Sequence, residues 1–180
     1  ANITEIGERA FAGSSVLEVT VPSTVKKLGQ GAFAACCYLK SGVIEDGLTE
    51  ISDSAFARCE CLTSVKLPES VKKICDKAFF MCEKLKEIDF PSGLEYIGYA
   101  AFCWANDWCV GRRGRLVIPK QLKLGCAALP CSCIDSIAVE DGSPYYYVKD
   151  NCLIERGSET LVLGCKNSVI PSGVKKIDSH

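Results

Sequence analysis

The sequence predicts a solenoid, mostly β with short helical turns, and three observations predict it. An Ala-Phe pair recurs at Ala10-Phe11, Ala32-Phe33, Ala55-Phe56, Ala78-Phe79 and Ala101-Phe102, at spacings of 22, 23, 23 and 23 residues. A fixed period in that range marks a stacked-repeat architecture. Aligning on the pair brings apolar positions into register: Val16, Leu39, Leu62 and Leu85, then Val19, Val65 and Ile88, then Val21, Leu67, Phe90 and Ile118. A proline closes that last column at Pro22, Pro68, Pro91 and Pro119, and again at Pro171.

Within one unit, residues 55–77, each part has its own local reason. Ala55 to Cys59 is too short for more than a helical turn or two. Val65 and Leu67 alternate with Ser64 and Lys66, the period of a half-buried strand, and Pro68 ends it because proline has no amide hydrogen for a ladder. Val71 and Ile74 then flank Lys72 and Lys73 in a second short extended segment. A lone coil buries too few side chains to offset the entropy of ordering 23 residues, so stability requires neighbours that cover its open faces.

The L-x-x-V-x-L-P strand, the V-x-x-I segment and the A-F-x-x-C turn, repeated in this way, closely resemble the BspA-like class of leucine-rich repeats. That resemblance implies a leucine-rich repeat solenoid, a right-handed β/α superhelix of about seven coils of 22–27 residues forming one domain over residues 1–180. The coils fall near residues 10–31, 32–54, 55–77, 78–100, 101–127, 128–157 (irregular, with a hairpin) and 158–180. Ile3 and Ile6 read as the tail of an earlier coil, and the chain stops where a further Ala-Phe pair is due, so a larger array is expected. The resemblance also implies a non-catalytic binding or adhesion module, at the cell surface or secreted, with a protein or glycan ligand. A passive spacer that displays another domain is the alternative.

Function is expected where the repeat breaks. After Phe102 the next equivalent pair, Ala128-Leu129, arrives only after 27 residues, with the insertion inside WANDWCVGRRGR. Trp104, Trp108, Arg112, Arg113 and Arg115 are therefore candidate ligand-binding residues, since Trp and Arg are over-represented in binding hot spots. The competing reading packs one Trp over the enlarged coil and leaves the arginines to solvate a longer loop. In the second break, Tyr145 to Val148 and Cys152 to Ile154 flank Lys149-Asp150-Asn151 and predict a hairpin, followed by a turn at Arg156-Gly157-Ser158. Tyr145, Tyr146 and Tyr147 offer a stacking surface for sugars, though hairpin packing explains them as well.

Of the 13 cysteines, Cys36, Cys59 and Cys82 follow the repeat period and are expected to stack as free structural thiols, because equivalent side chains on successive coils point the same way. Cys37 and Cys61 differ in register and form the better candidate bridge; Cys131 and Cys133 form a C-x-C pair. No C-x-x-C is present and the one histidine is His180, so neither a metal, a cofactor nor an imidazole-based catalytic arrangement is expected. Lys and Arg total 21 against 22 Asp and Glu, without the basic excess that nucleic-acid binding requires. No apolar run is long enough to insert this chain in a membrane. Many free thiols suit a reducing or anaerobic setting, which keeps a cytosolic location open.

Overall fold

The computed structural model describes residues 2–105, 115–130 and 134–178. In chain order its strands are β1 (Glu5–Ile6), β2 (Glu18–Val21), β3 (Lys27–Leu28), β4 (Ser41–Ile44), β5 (Glu50–Ile51), β6 (Ser64–Lys66), β7 (Lys73–Ile74) and β8 (Glu87–Ile88). They continue with β9 (Tyr96–Ile97), β10 (Arg115–Ile118), β11 (Lys123–Leu124), β12 (Ser136–Val139), β13 (Tyr146–Lys149), β14 (Cys152–Glu155), β15 (Thr160–Gly164) and β16 (Lys176–Ile177). Each coil of the array contributes one strand before the proline position and a two-residue strand after it. The proline-side strands stack in parallel as β2-β4-β6-β8, and the two-residue strands stack in parallel as β5-β7-β9-β11. Register is set by the repeat, so Ser41 pairs with Ser64 and Ser64 with Glu87, while Ile51 pairs with Ile74 and Ile74 with Ile97.

The third side is the Ala-Phe turn, and here the structure corrects the expectation of short helical turns. No helix occurs among the described residues. Left-handed residues bracket each turn: Ser54 (φ 55°) and Arg58 (φ 62°) around Ala55, and Lys77 (φ 56°) and Met81 (φ 57°) around Ala78. A left-handed residue at each end stops a right-handed helix from propagating. Alternate amides inside the turn donate to the next coil instead of along it: Phe33 N to Ala55 O, Phe56 N to Ala78 O and Phe79 N to Ala101 O, each at 2.8 Å. The turn therefore supplies a third ladder between coils.

Five phenylalanines stand on these turns as one column. Phe11, Phe33, Phe56, Phe79 and Phe102 stack with centroids 5.1–5.4 Å apart and planes within 12° of parallel. The regular stack thus comprises five Phe-bearing coils, fewer than the seven coils expected from the alignment. One continuous core runs beside the column from Ile6 to Leu163. Where coils approach most closely no side chain fits: a Cβ on Gly98 would lie 2.7 Å from the Asp76 amide nitrogen.

After residue 134 the pattern changes. Strand β12 still pairs in parallel with β10. The next two strands, β13 and β14, form the antiparallel hairpin, and Asp150 (φ 50°) and Asn151 (φ 61°) make its two-residue turn. Two consecutive positive φ values give the turn type whose twist matches flanking strands. Strand β15 adds to β14 in antiparallel fashion and β16 adds to β15 in parallel, so β13 to β16 make a four-stranded sheet of their own.

Candidate functional site

Of the five residues singled out in the enlarged coil, Trp108, Arg112 and Arg113 lie outside the described residues. Trp104 occupies the left-handed position after the Phe102 turn (φ 64°) and is 60% exposed. Arg115 opens β10, is exposed, and lines a pocket of about 380 Å³ together with Glu140 and Arg156. No hydrogen bond or ring contact joins Trp104 to Arg115 among the described residues.

A different concavity forms where the array meets the hairpin. Its floor is the outer face of the two-residue strands, with Glu50, Lys73, Tyr96 and Lys123 as successive rungs in register. Cys75, Glu95, Gln121 and Tyr145 complete a groove of about 690 Å³. Burial pushes the Tyr96 phenol above its ordinary pKa, helped by Asp76 and Cys75 nearby. Burial likewise raises the Cys75 thiol to about 11, with Glu50 adding to the effect, so it is neutral at physiological pH.

The hairpin decides the groove's far wall. Tyr146 is buried, and its hydroxyl accepts the Leu124 amide at 2.9 Å, where a further strand would otherwise pair with β11. Arg156 braces the same segment, its Nε donating to Ser143 O at 3.1 Å and Tyr146 O at 3.2 Å. Held in this way, Tyr145 presents a ring that is 38% exposed at the groove mouth and tilted against Tyr146 at 6.2 Å.

The periodic thiols serve the stack. Cys36, Cys59 and Cys82 are buried and free, and each Sγ donates to the carbonyl of the preceding coil's Phe: to Phe11 at 3.0 Å, Phe33 at 3.1 Å and Phe56 at 3.0 Å. Burial raises the Cys82 thiol to about 12 and the Cys59 thiol further, with Cys82 and Cys36 beside it contributing. Such thiols are inert at neutral pH. The candidate Cys37–Cys61 bridge is not formed. Cys37 Sγ donates to its own turn, at Ala35 O, while Cys61 lies beside Lys84 Nζ, because the two are one position out of register between coils. Cys131 and Cys133 lie outside the described residues.

These three ladders, the Phe column and the thiol column agree with a sequence match. A model of the BspA type leucine rich repeat region matches residues 1–107 in six copies. The chain belongs to the BspA-type leucine-rich repeat family. Similar solved structures include a leucine-rich repeat protein from Bacteroides ovatus, at 27% identity and TM-score 0.68, covering 97% of this BspA-type chain and 40% of that one. A leucine rich cell surface protein from Faecalibacterium prausnitzii matches at 24% identity and TM-score 0.75, covering 96% and 54%. The pneumococcal vaccine antigen PcpA matches at 24% identity and TM-score 0.74, covering 98% and 47%. At that identity the last two show the fold alone. The BspA-type chain spans 40–54% of the length of these relatives. Among curated proteins, none matches it.

Sequence reasoning missed the groove because its residues run from Glu50 to Tyr145 and no local motif joins them. One signal was present. In the column preceding Leu28, Ile51, Ile74, Ile97 and Leu124, the charged series Lys27, Glu50, Lys73 and Lys123 is interrupted by Tyr96.

Proposed function

We propose that this BspA-type chain is a non-catalytic binding module of a surface or secreted protein, engaging a protein or glycan in an adhesion setting. The observation that carries the reading is the groove at the junction of array and hairpin. There two tyrosines and several charged side chains converge on a concavity whose size falls within the roughly 300–1,000 Å³ of ordinary ligand sites. A second contact element is the irregular coil with Trp104, Trp108, Arg112, Arg113 and Arg115, for which the hot-spot chemistry of Trp and Arg speaks. The surface location is supported by the F. prausnitzii relative, described as a cell surface protein. Among the described residues no helix is long and apolar enough to cross a membrane.

Immobilised chain presented to arrays of host proteins and glycans tests the reading. Saturable binding to at least one ligand is expected. Absence of saturable binding to either class would leave the spacer role, and turnover in a broad hydrolase screen would overturn the non-catalytic reading.

A further inference from the structure

We propose that the groove between the two-residue strands and the hairpin binds an uncharged oligosaccharide, with Tyr145 and Tyr96 supplying the stacking faces and Glu50, Glu95 and Lys123 the hydrogen bonds to sugar hydroxyls. The inference rests on the binding-module reading above and names the ligand class for one site.

Four observations lead there. The first is unused polar capacity. Glu5 and Lys27, outward cross-strand partners on β1 and β3, form an ion pair at 2.8 Å. Glu50 and Lys73 hold the same outward position on β5 and β7 yet form no ion pair, and among the described residues the side chains of Glu95, Lys123 and Tyr96 make no hydrogen bond. These groups point donors and acceptors at the groove with no protein partner.

The second observation is charge balance. The lining carries two carboxylates, Glu50 and Glu95, and two ammonium groups, Lys73 and Lys123. A sulfated or sialylated chain would need a net positive wall. The third is the kind of apolar surface on offer. It comes from tyrosine rings and the Cys75 thiol, with no aliphatic side chain in the lining, so no pocket exists for the Leu or Ile anchor of a peptide. A tyrosine face carries negative quadrupole density and meets the weakly positive C–H face of a sugar ring, while alternating carboxylate, amide and ammonium groups suit hydroxyls that both donate and accept.

The fourth observation excludes strand addition. A peptide docking on a sheet edge needs free backbone groups. On the outer edge of β11, the Leu124 amide is taken by the Tyr146 hydroxyl, which also donates to Leu124 O at 3.4 Å.

The experiment titrates the whole chain by calorimetry with neutral hexasaccharides of glucose, of mannose and of N-acetylglucosamine. A sulfated hexasaccharide and a mixed-charge peptide form separate arms. Saturable binding of at least one neutral sugar is expected. It should be little changed by added salt, because an uncharged ligand has no counterion term to screen. Tyr145→Ala and Glu95→Gln, both at exposed positions, are each expected to weaken it by about tenfold or more without moving the urea midpoint. No binding of any neutral sugar, binding only of the sulfated one, or binding indifferent to Tyr145→Ala each overturns the inference. If the protein and glycan arrays still show saturable binding, unaffected by Tyr145→Ala, the module reading survives and only the groove assignment falls.

Discussion

The regular array and the hairpin end solve the same problem with different materials. In the array the amides of the Ala-Phe turns donate to carbonyls of the next coil, and each Phe of the column lies 5.1–5.4 Å from its neighbour in the next coil. At the hairpin end two side chains close the stack. The Tyr146 hydroxyl accepts the Leu124 amide on β11, and Asn151 Oδ1 accepts the Ile137 amide on β12 at 3.0 Å. Repetition therefore propagates a core behind a periodic face. A departure from the repeat both ends two ladders and raises a wall beside that face. Interruptions of a solenoid are for this reason where a ligand site can be formed without loss of the core.

The largest effect that separates the two regions is expected inside the Phe column. Phe56→Ala removes a fully buried ring stacked on both sides and should cost about 3–5 kcal/mol, read as a drop in the urea midpoint. Phe11→Ala removes a ring that is 43% exposed and stacked on one side only, and should cost clearly less. Equal losses at the two positions would contradict a column whose stability comes from neighbours.

The capping chemistry is tested next. Tyr146→Phe keeps the buried ring but strands the Leu124 amide, so a loss of about 1–3 kcal/mol is expected. Faster hydrogen exchange should be confined to Leu124 and the hairpin, with the amides of the Phe turns unchanged. Faster exchange throughout the array would mean that the cap governs the whole stack.

A smaller effect belongs to the thiols. Unfolded thiols ionise near pH 8.5, whereas Cys82 is held up to about 12 and Cys59 is raised further, so on alkalinisation the unfolded state loses protons first. Stability from these groups is full below about pH 8.5 and falls as pH rises toward the folded values, by up to about 1.4 kcal/mol per pH unit for each thiol. Thermal melts from neutral to alkaline pH should show that slope, and Cys59→Ala with Cys82→Ala should flatten it. Cys59→Ser, which retains a donor to Phe33 O, is expected to lose less at neutral pH than Cys59→Ala. The smallest effect is at the first coils, where Lys27→Met removes an ion pair between exposed side chains and should leave the urea midpoint unchanged.

By itself the sequence determined the repeat, its register and its core. The period of 22–23 residues places the same apolar residue at the same height in each coil, and lateral pairing of identical units follows from that alone. The hairpin was legible for a similar reason, since two extended runs around Asp150-Asn151 are a local signal. Tertiary structure decided the rest. The Ala-Phe segments look helical in isolation, but the next coil competes for their amides and holds them as a lateral ladder with left-handed ends. The groove was hidden because it joins Tyr145 to rungs as distant as Glu50, a proximity created only when the hairpin folds back on β11 through the Tyr146 hydroxyl. Local patterning records what each coil buries; what two non-identical units expose between them depends on how the stack ends.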